Sequence, residues 1–124
     1  MMIISDLNVS DGQITELYVY SSLVKVVLED WKGEKYSLAF KGVVGVECYS
    51  PEGVELCQIS VLTESEKISK VCAIAEAEEN EFKEYSFISA WTDLPVLSVF
   101  SGHVEINRLN QDSQIHLHEY VHKN

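Results

Sequence analysis

The residues best suited to chemistry lie near the C-terminal end, where His118-Glu119-Tyr120-Val121-His122 matches H-E-x-x-H. On a helix, His118 and His122 would share a face and could hold zinc, with Glu119 as the general base. Zinc hydrolysis requires three protein ligands and one open position for water. Only Lys123 and Asn124 follow the motif, and on a helix His116 would point away from His118. As a strand, the same segment places His116, His118 and His122 on one face, a solvated and weakly pH-sensitive surface. The expectation is a polar tail with no metal and no cofactor. A zinc-dependent hydrolase built on His118, Glu119 and His122 is the alternative.

Other reactive groups are scattered. Cys48, Cys57 and Cys72 form no CxxC pair, have no base beside them in the sequence, and sit among apolar neighbours. Reduced, buried cysteines in a cytoplasmic protein are expected. No G-x-S-x-G occurs, and no glycine-rich loop leads from a strand into a helix. The densest charge feature is Glu76, Glu78, Glu79, Glu81 and Glu84. It lacks the spacing of a calcium loop, and catalytic carboxylates need fixed positions on a cleft wall. It reads as a solvated, mobile connection, or else as a docking patch for a basic partner. No catalytic, cofactor-binding or metal-binding residue is assigned.

The elements that would position these groups are mostly short strands. Asp11-Gly12 precedes a run from Ile14 to Tyr20, and Leu23 to Glu29 follows. Asp30 to Glu34 reads as a hairpin connection in which Gly33 takes positive φ. Tyr36, Leu38 and Phe40 then alternate with Lys35, Ser37, Ala39 and Lys41, one buried face and one wet face. Gly42 and Gly45 predict a bulge or bend before Val46, Cys48 and Tyr49. Ser50-Pro51-Glu52-Gly53 is a turn, and Val54 to Leu62 is the next strand.

Thr63 and Glu66 match a capping box, and Ile68, Val71, Cys72 and Ala75 form a helical apolar stripe. Acids after residue 75 oppose the helix dipole, so the helix ends near there. A strand over Val71 to Ala77 is the competing reading. Tyr85 to Trp91 is predicted as a strand with Tyr85, Phe87 and Trp91 on one face, Trp91 closing the core. After a turn at Thr92 to Pro95, Val96 to Ile106 returns as a long strand bent near Gly102. This hairpin is expected at the centre of the sheet. Trp31, between Asp30 and Lys32, is either a core cap or an exposed interface anchor. In the tail, Ile115, Leu117 and Val121 fit an edge strand or a short helix.

The fold class is therefore mainly β (α+β). About seven antiparallel strands form a curved sheet or partly closed barrel, with one short helix. Residues 1–124 form a single domain, with 109–124 as a peripheral tail. The chain is 46% apolar and carries 23% charged residues, as globular proteins do. Twenty acids against nine bases give a net charge of −11, and Arg108 is the one arginine. Nucleic-acid binding needs a basic footprint, so this balance argues against it. It argues equally against an anionic membrane surface, and no apolar stretch is long enough to span a bilayer. The residues Met1 to Asp6 do not have the form of a secretory signal.

Tyr85-Ser86-Phe87-Ile88-Ser89-Ala90-Trp91, then Pro95-Val96-Leu97 and Val104-Glu105-Ile106, resemble a pattern in small uncharacterised bacterial β-rich proteins. Asp11-Gly12-x-Ile14 and Glu29-Asp30-Trp31-x-Gly33 fit the same pattern, which covers residues 11 to 107. Such proteins are similar to immunity proteins of toxin systems, which bind and block a cognate toxin. The resemblance implies a non-enzymatic, acidic inhibitor acting on a basic toxin or nuclease, and it defines no functional residues. Besides the zinc hydrolase, the alternatives are a small-ligand-binding barrel and an assembly module, including a homodimer through an exposed strand edge.

Overall fold

The computed structural model describes residues 2–109; the H-E-x-x-H segment and the rest of the tail lie outside the described residues. Six strands form one sheet: β1 (Gln13–Val19), β2 (Leu23–Glu29), β3 (Lys35–Cys48), β4 (Leu56–Leu62), β5 (Lys83–Ser89) and β6 (Pro95–Leu109). The spatial order is β1-β2-β3-β6-β5-β4, and every neighbouring pair is antiparallel. One helix, α1 (Glu66–Ala75), and two short 3₁₀ turns complete the described chain.

The β2–β3 hairpin forms where the turn residues predict it. The Asp30 carboxylate accepts from the backbone N–H groups of Lys32 and Glu34, both at 2.9 Å, and Gly33 has φ 85°. An aspartate that bonds its own backbone two residues on fixes such a turn locally.

Among the described residues the expected seven strands number six, because Lys35–Cys48 is continuous. The glycines there distort the strand without ending it. Gly42 has φ 61°, and the β3–β6 register shifts between Val43 and Gly45. Leu38 and Phe40 face the core before this point, and Val43 and Val46 after it. On β6, Leu97 and Val99 face inward before Gly102, and Val104 and Ile106 after it. The alternation thus slips by one residue on both strands at the level of Gly42 and Gly102, and a second time on β3 between Val43 and Val46, across the register shift. A slip of this kind bends a two-stranded ribbon and sharpens its twist.

The bend brings the two outer hairpins towards each other. β2 pairs with the first half of β3, and β5 pairs with the first half of β6, so the hairpins are staggered along the ribbon. Their inner faces meet in one core. Phe40 of β3 lies 5.0 Å from the Tyr85 ring and 6.2 Å, edge-on, from Phe87. Ile14, Val24, Val26, Leu56 and Leu97 fill the space around them and are fully buried. The sheet does not close into a barrel. β1 and β4 meet only at their starts, where Leu56 exchanges hydrogen bonds with Asp11 and Gly12 and Gly53 donates to the Ile14 carbonyl.

α1 covers the outer face of the sheet. Ile68 and Cys72 pack on Phe100, flanked by Val44, Val71 and Phe82. The helix starts two residues later than the Thr63 reading predicts. Ser65 is the N-cap, extended at φ −165°, and its hydroxyl accepts from the Ile68 N–H at 3.0 Å. β4 holds the chain in the sheet to Leu62, so Thr63 is part of the turn. The helix ends at Ala75, with Glu76 left-handed at φ 56°, which rules out a strand over Val71 to Ala77.

The β5–β6 hairpin is only half central. β6 lies in the middle of the sheet, and β5 lies next to the edge strand β4. No helix among the described residues is long and apolar enough to cross a membrane.

Candidate functional site

Three segments meet at the starts of β1 and β4. Gln13 and Ile14 bridge to Glu55 and Glu52, and the Ala90 N–H donates to the Glu55 carbonyl at 2.9 Å. The Tyr49 N–H donates to the Val96 carbonyl, which fixes the Tyr49–Glu55 loop beside the β5–β6 turn. Together, residues 13–20, 49–55 and 90–94 form a rim. They contain Glu16, Glu52, Glu55 and Asp93 and no lysine or arginine. On β2, Lys25 stands opposite Tyr18.

The rim also exposes aromatic and apolar side chains. Trp91 is 80% exposed, Tyr49 65% and Leu94 63%, with Tyr18, Val19 and Tyr20 beside Glu16. The Tyr18 hydroxyl donates to the Glu16 carboxylate. That hydrogen bond and the Glu16 charge, followed by desolvation and smaller contributions from Tyr20 and Glu52, raise the Tyr18 pKa above the ordinary phenol value. Rigid aromatics beside fixed charge of one sign supply anchors and steering for a partner of the opposite sign.

The local sequence explains why Trp91 is outside. β5 ends at Ser89, whose hydroxyl accepts from the Trp91 and Thr92 N–H groups at 3.1 and 3.4 Å. Ser89 also accepts from Asp93 through its carbonyl, and Asp93 is left-handed at φ 59°. The turn interrupts the alternation that would have placed Trp91 with Tyr85 and Phe87. The core-closing role expected for Trp91 is therefore corrected: the indole lies on the surface. Trp31 is also exposed, at 61%, with the Lys32 ammonium 5.3 Å from its ring centre, at the far end of β3 from Tyr49.

The glutamate cluster is not one solvated connection. Glu79–Glu81 form a 3₁₀ turn, and Glu76 and Glu78 are exposed. Glu84 is 5% exposed on β5, beneath the start of α1. Its carboxylate accepts from Ser65 Oγ at 2.6 Å and from Ser86 Oγ at 3.3 Å, and Ser86 meets Ser98 Oγ at 2.8 Å. A buried carboxylate is tolerated when hydroxyls are aimed at it in this way. Each of these groups has a structural partner, and the network ties the helix N-terminus to the sheet.

The cysteines divide by burial. All three are free thiols. Cys72 is buried, and desolvation, with Glu79 adding to it, pushes its thiol pKa up. Cys57 is half-buried, with Sγ 3.8 Å from the Ser89 carbonyl. Cys48 is exposed, a correction to the expectation that all three are buried; it ends β3 where the chain leaves the sheet. Among the described residues no group of His, Cys, Asp and Glu has the geometry to hold a metal ion.

An open cleft of about 1130 Å³ lies between residues 2–9, β4 and the second half of β6. Ile59, Val61, Tyr85, Val104 and Ile106 line its apolar side, and Lys83 and His103 stand at its edge.

The sequence pointed to Trp31 and to the acids but missed Tyr18, Tyr20, Tyr49 and Leu94. The readable signals were a tyrosine beside Ser50-Pro51-Glu52-Gly53 and two tyrosines at alternate positions where a strand runs out. No family model, curated protein or solved structure matches the chain.

Proposed function

We propose that this chain is a non-enzymatic protein-binding module whose acidic, aromatic rim docks a basic partner. The observation that carries this is the rim: Trp91, Tyr49 and Leu94 stand exposed among Glu16, Glu52, Glu55 and Asp93, with no cation in the three segments. In its most concrete form the module is an immunity or inhibitor protein. It acts in the cytoplasm and occludes the cationic surface of a toxin or nuclease. The net charge of −11 supports long-range attraction to such a surface, and the aromatic side chains supply the short-range contact. The free thiols of Cys48, Cys57 and Cys72 suit a reducing compartment.

The test is capture from a bacterial lysate at low salt, followed by association kinetics with the captured protein. The association rate should fall by about tenfold or more as ionic strength rises through the physiological range. Trp91→Ala should weaken binding by about 2 kcal/mol or more, as loss of a central anchor does. A rate flat in salt, or full affinity in Trp91→Ala, refutes the reading.

A further inference from the structure

We propose that the chain forms a symmetric homodimer by antiparallel pairing of β4 with β4 of a second copy, making one continuous sheet through both. β4 is an edge strand. Among the described residues, the backbone hydrogen bonds on its outer side stop at Leu56, leaving Cys57–Leu62 unpaired there. An edge of this kind is a template for another strand unless charge, proline or a covering element blunts it. Leu56-Cys57-Gln58-Ile59-Ser60-Val61-Leu62 contains no charge and no proline, in a chain of net charge −11.

The occupant follows from the sequence of the strand itself. A two-fold axis at Ile59 sets Ile59 against Ile59, Cys57 against Val61 and Gln58 against Ser60. Ile59 and Val61 pair within the sheet with Phe87 and Tyr85, both of which face the core, so they lie on the cleft side. Apolar residues thus meet apolar ones on the cleft side, and polar residues meet polar ones on the helix side. Such opposite pairs are the unit of sheet stabilisation. The other edge strand, β1, is a poorer template for self-pairing. Both edge strands carry a register shift, β1 between Ile14 and Glu16 and β4 between Leu56 and Gln58, but β1 also carries Glu16 at its centre, so two copies paired there would bring like charges together.

Salt separates this contact from docking of a basic partner. Two copies of net charge −11 repel, so screening should strengthen the dimer while it weakens the partner complex. Sedimentation equilibrium of the full chain, at low and high salt over a range of protein concentrations, reads this directly. The expected result is a dimer whose population rises with both. Val61→Lys, at a side chain 39% exposed, should keep the circular dichroism of the parent and shift the population to monomer. In a Cys48→Ser, Val61→Cys double variant, air oxidation should link Cys57 of one copy to the introduced thiol of the other. A monomer under all conditions overturns the proposal. So does a dimer indifferent to Val61→Lys, or a dimer of the double variant that does not cross-link.

Discussion

Single side chains in this protein are best understood by what their polar atoms touch. The Ser65 hydroxyl accepts from the Ile68 N–H and donates to Glu84, so one oxygen both caps α1 and satisfies a buried carboxylate. Ser65→Ala should therefore cost about 1–2 kcal/mol, the loss of a cap with a share of a buried hydrogen bond. Urea denaturation measures it, and a cost near zero would separate the cap from the network. The thiols make a second residue-scale case. The reactive species is the thiolate, so access and pKa act together. With a disulfide reagent at neutral pH, Cys48 should react first and Cys57 more slowly. Cys72, buried with its thiol pKa raised, should react only as the protein opens. Rapid labelling of all three thiols would contradict the packing of α1 on Phe100.

At the scale of elements, the helix and the sheet approach each other at a glycine. A Cβ on Gly45 would lie 2.7 Å from Val71 Cγ1 and 3.5 Å from the Phe100 ring. Only a residue without a side chain lets α1 settle this closely over β3 and β6. Gly45→Ala should destabilise the fold by about 1–3 kcal/mol through overpacking, although alanine is otherwise the better strand residue of the two. Thermal or urea denaturation gives the sign. A neutral result would mean that Val71 can rotate away freely. The same strand shows why seven runs of sequence became six elements. Gly42 and Gly45 look like breaks when read along the chain, but β6 pairs with β3 on both sides of them. A central partner strand carries the ladder past a bulge that would end an isolated hairpin.

For the whole molecule, net charge and its distribution matter more than any one pair. The described ion pairs, such as Lys41 with Glu105 and Lys67 with Glu47, are largely exposed and contribute little to stability. What the acid excess does is set a field. The three rim segments carry acids and no lysine or arginine, whereas Leu56–Leu62 carries no charged residue. The two proposed surfaces therefore respond to ionic strength with opposite signs, the rim complex weakening and the β4 pairing strengthening. One salt series with two readouts tests both, and one can fail without the other.

The β2–β3 hairpin was legible because its cause is local. Asp30 and Gly33 act on their own backbone, and Leu23–Glu29 was bounded correctly for the same reason. The end of α1 at Ala75 was legible too, from the acids that follow it. The mainly β character followed from period-two alternation. The sequence did not determine which acids are buried. Glu84 differs from Glu81 only because β5 pairs between β4 and β6 under the start of α1. Nor did it determine the fate of Trp91, which continues an inward-facing alternation until the Ser89 turn carries it to the surface. The rim was invisible for the same reason. Its three segments are separated in the chain, and only the bend of the β3–β6 ribbon brings them together. Local hydrogen bonds and periodicity are written in neighbouring residues, whereas burial, exposure and shared surfaces depend on strand order, and that is a tertiary decision.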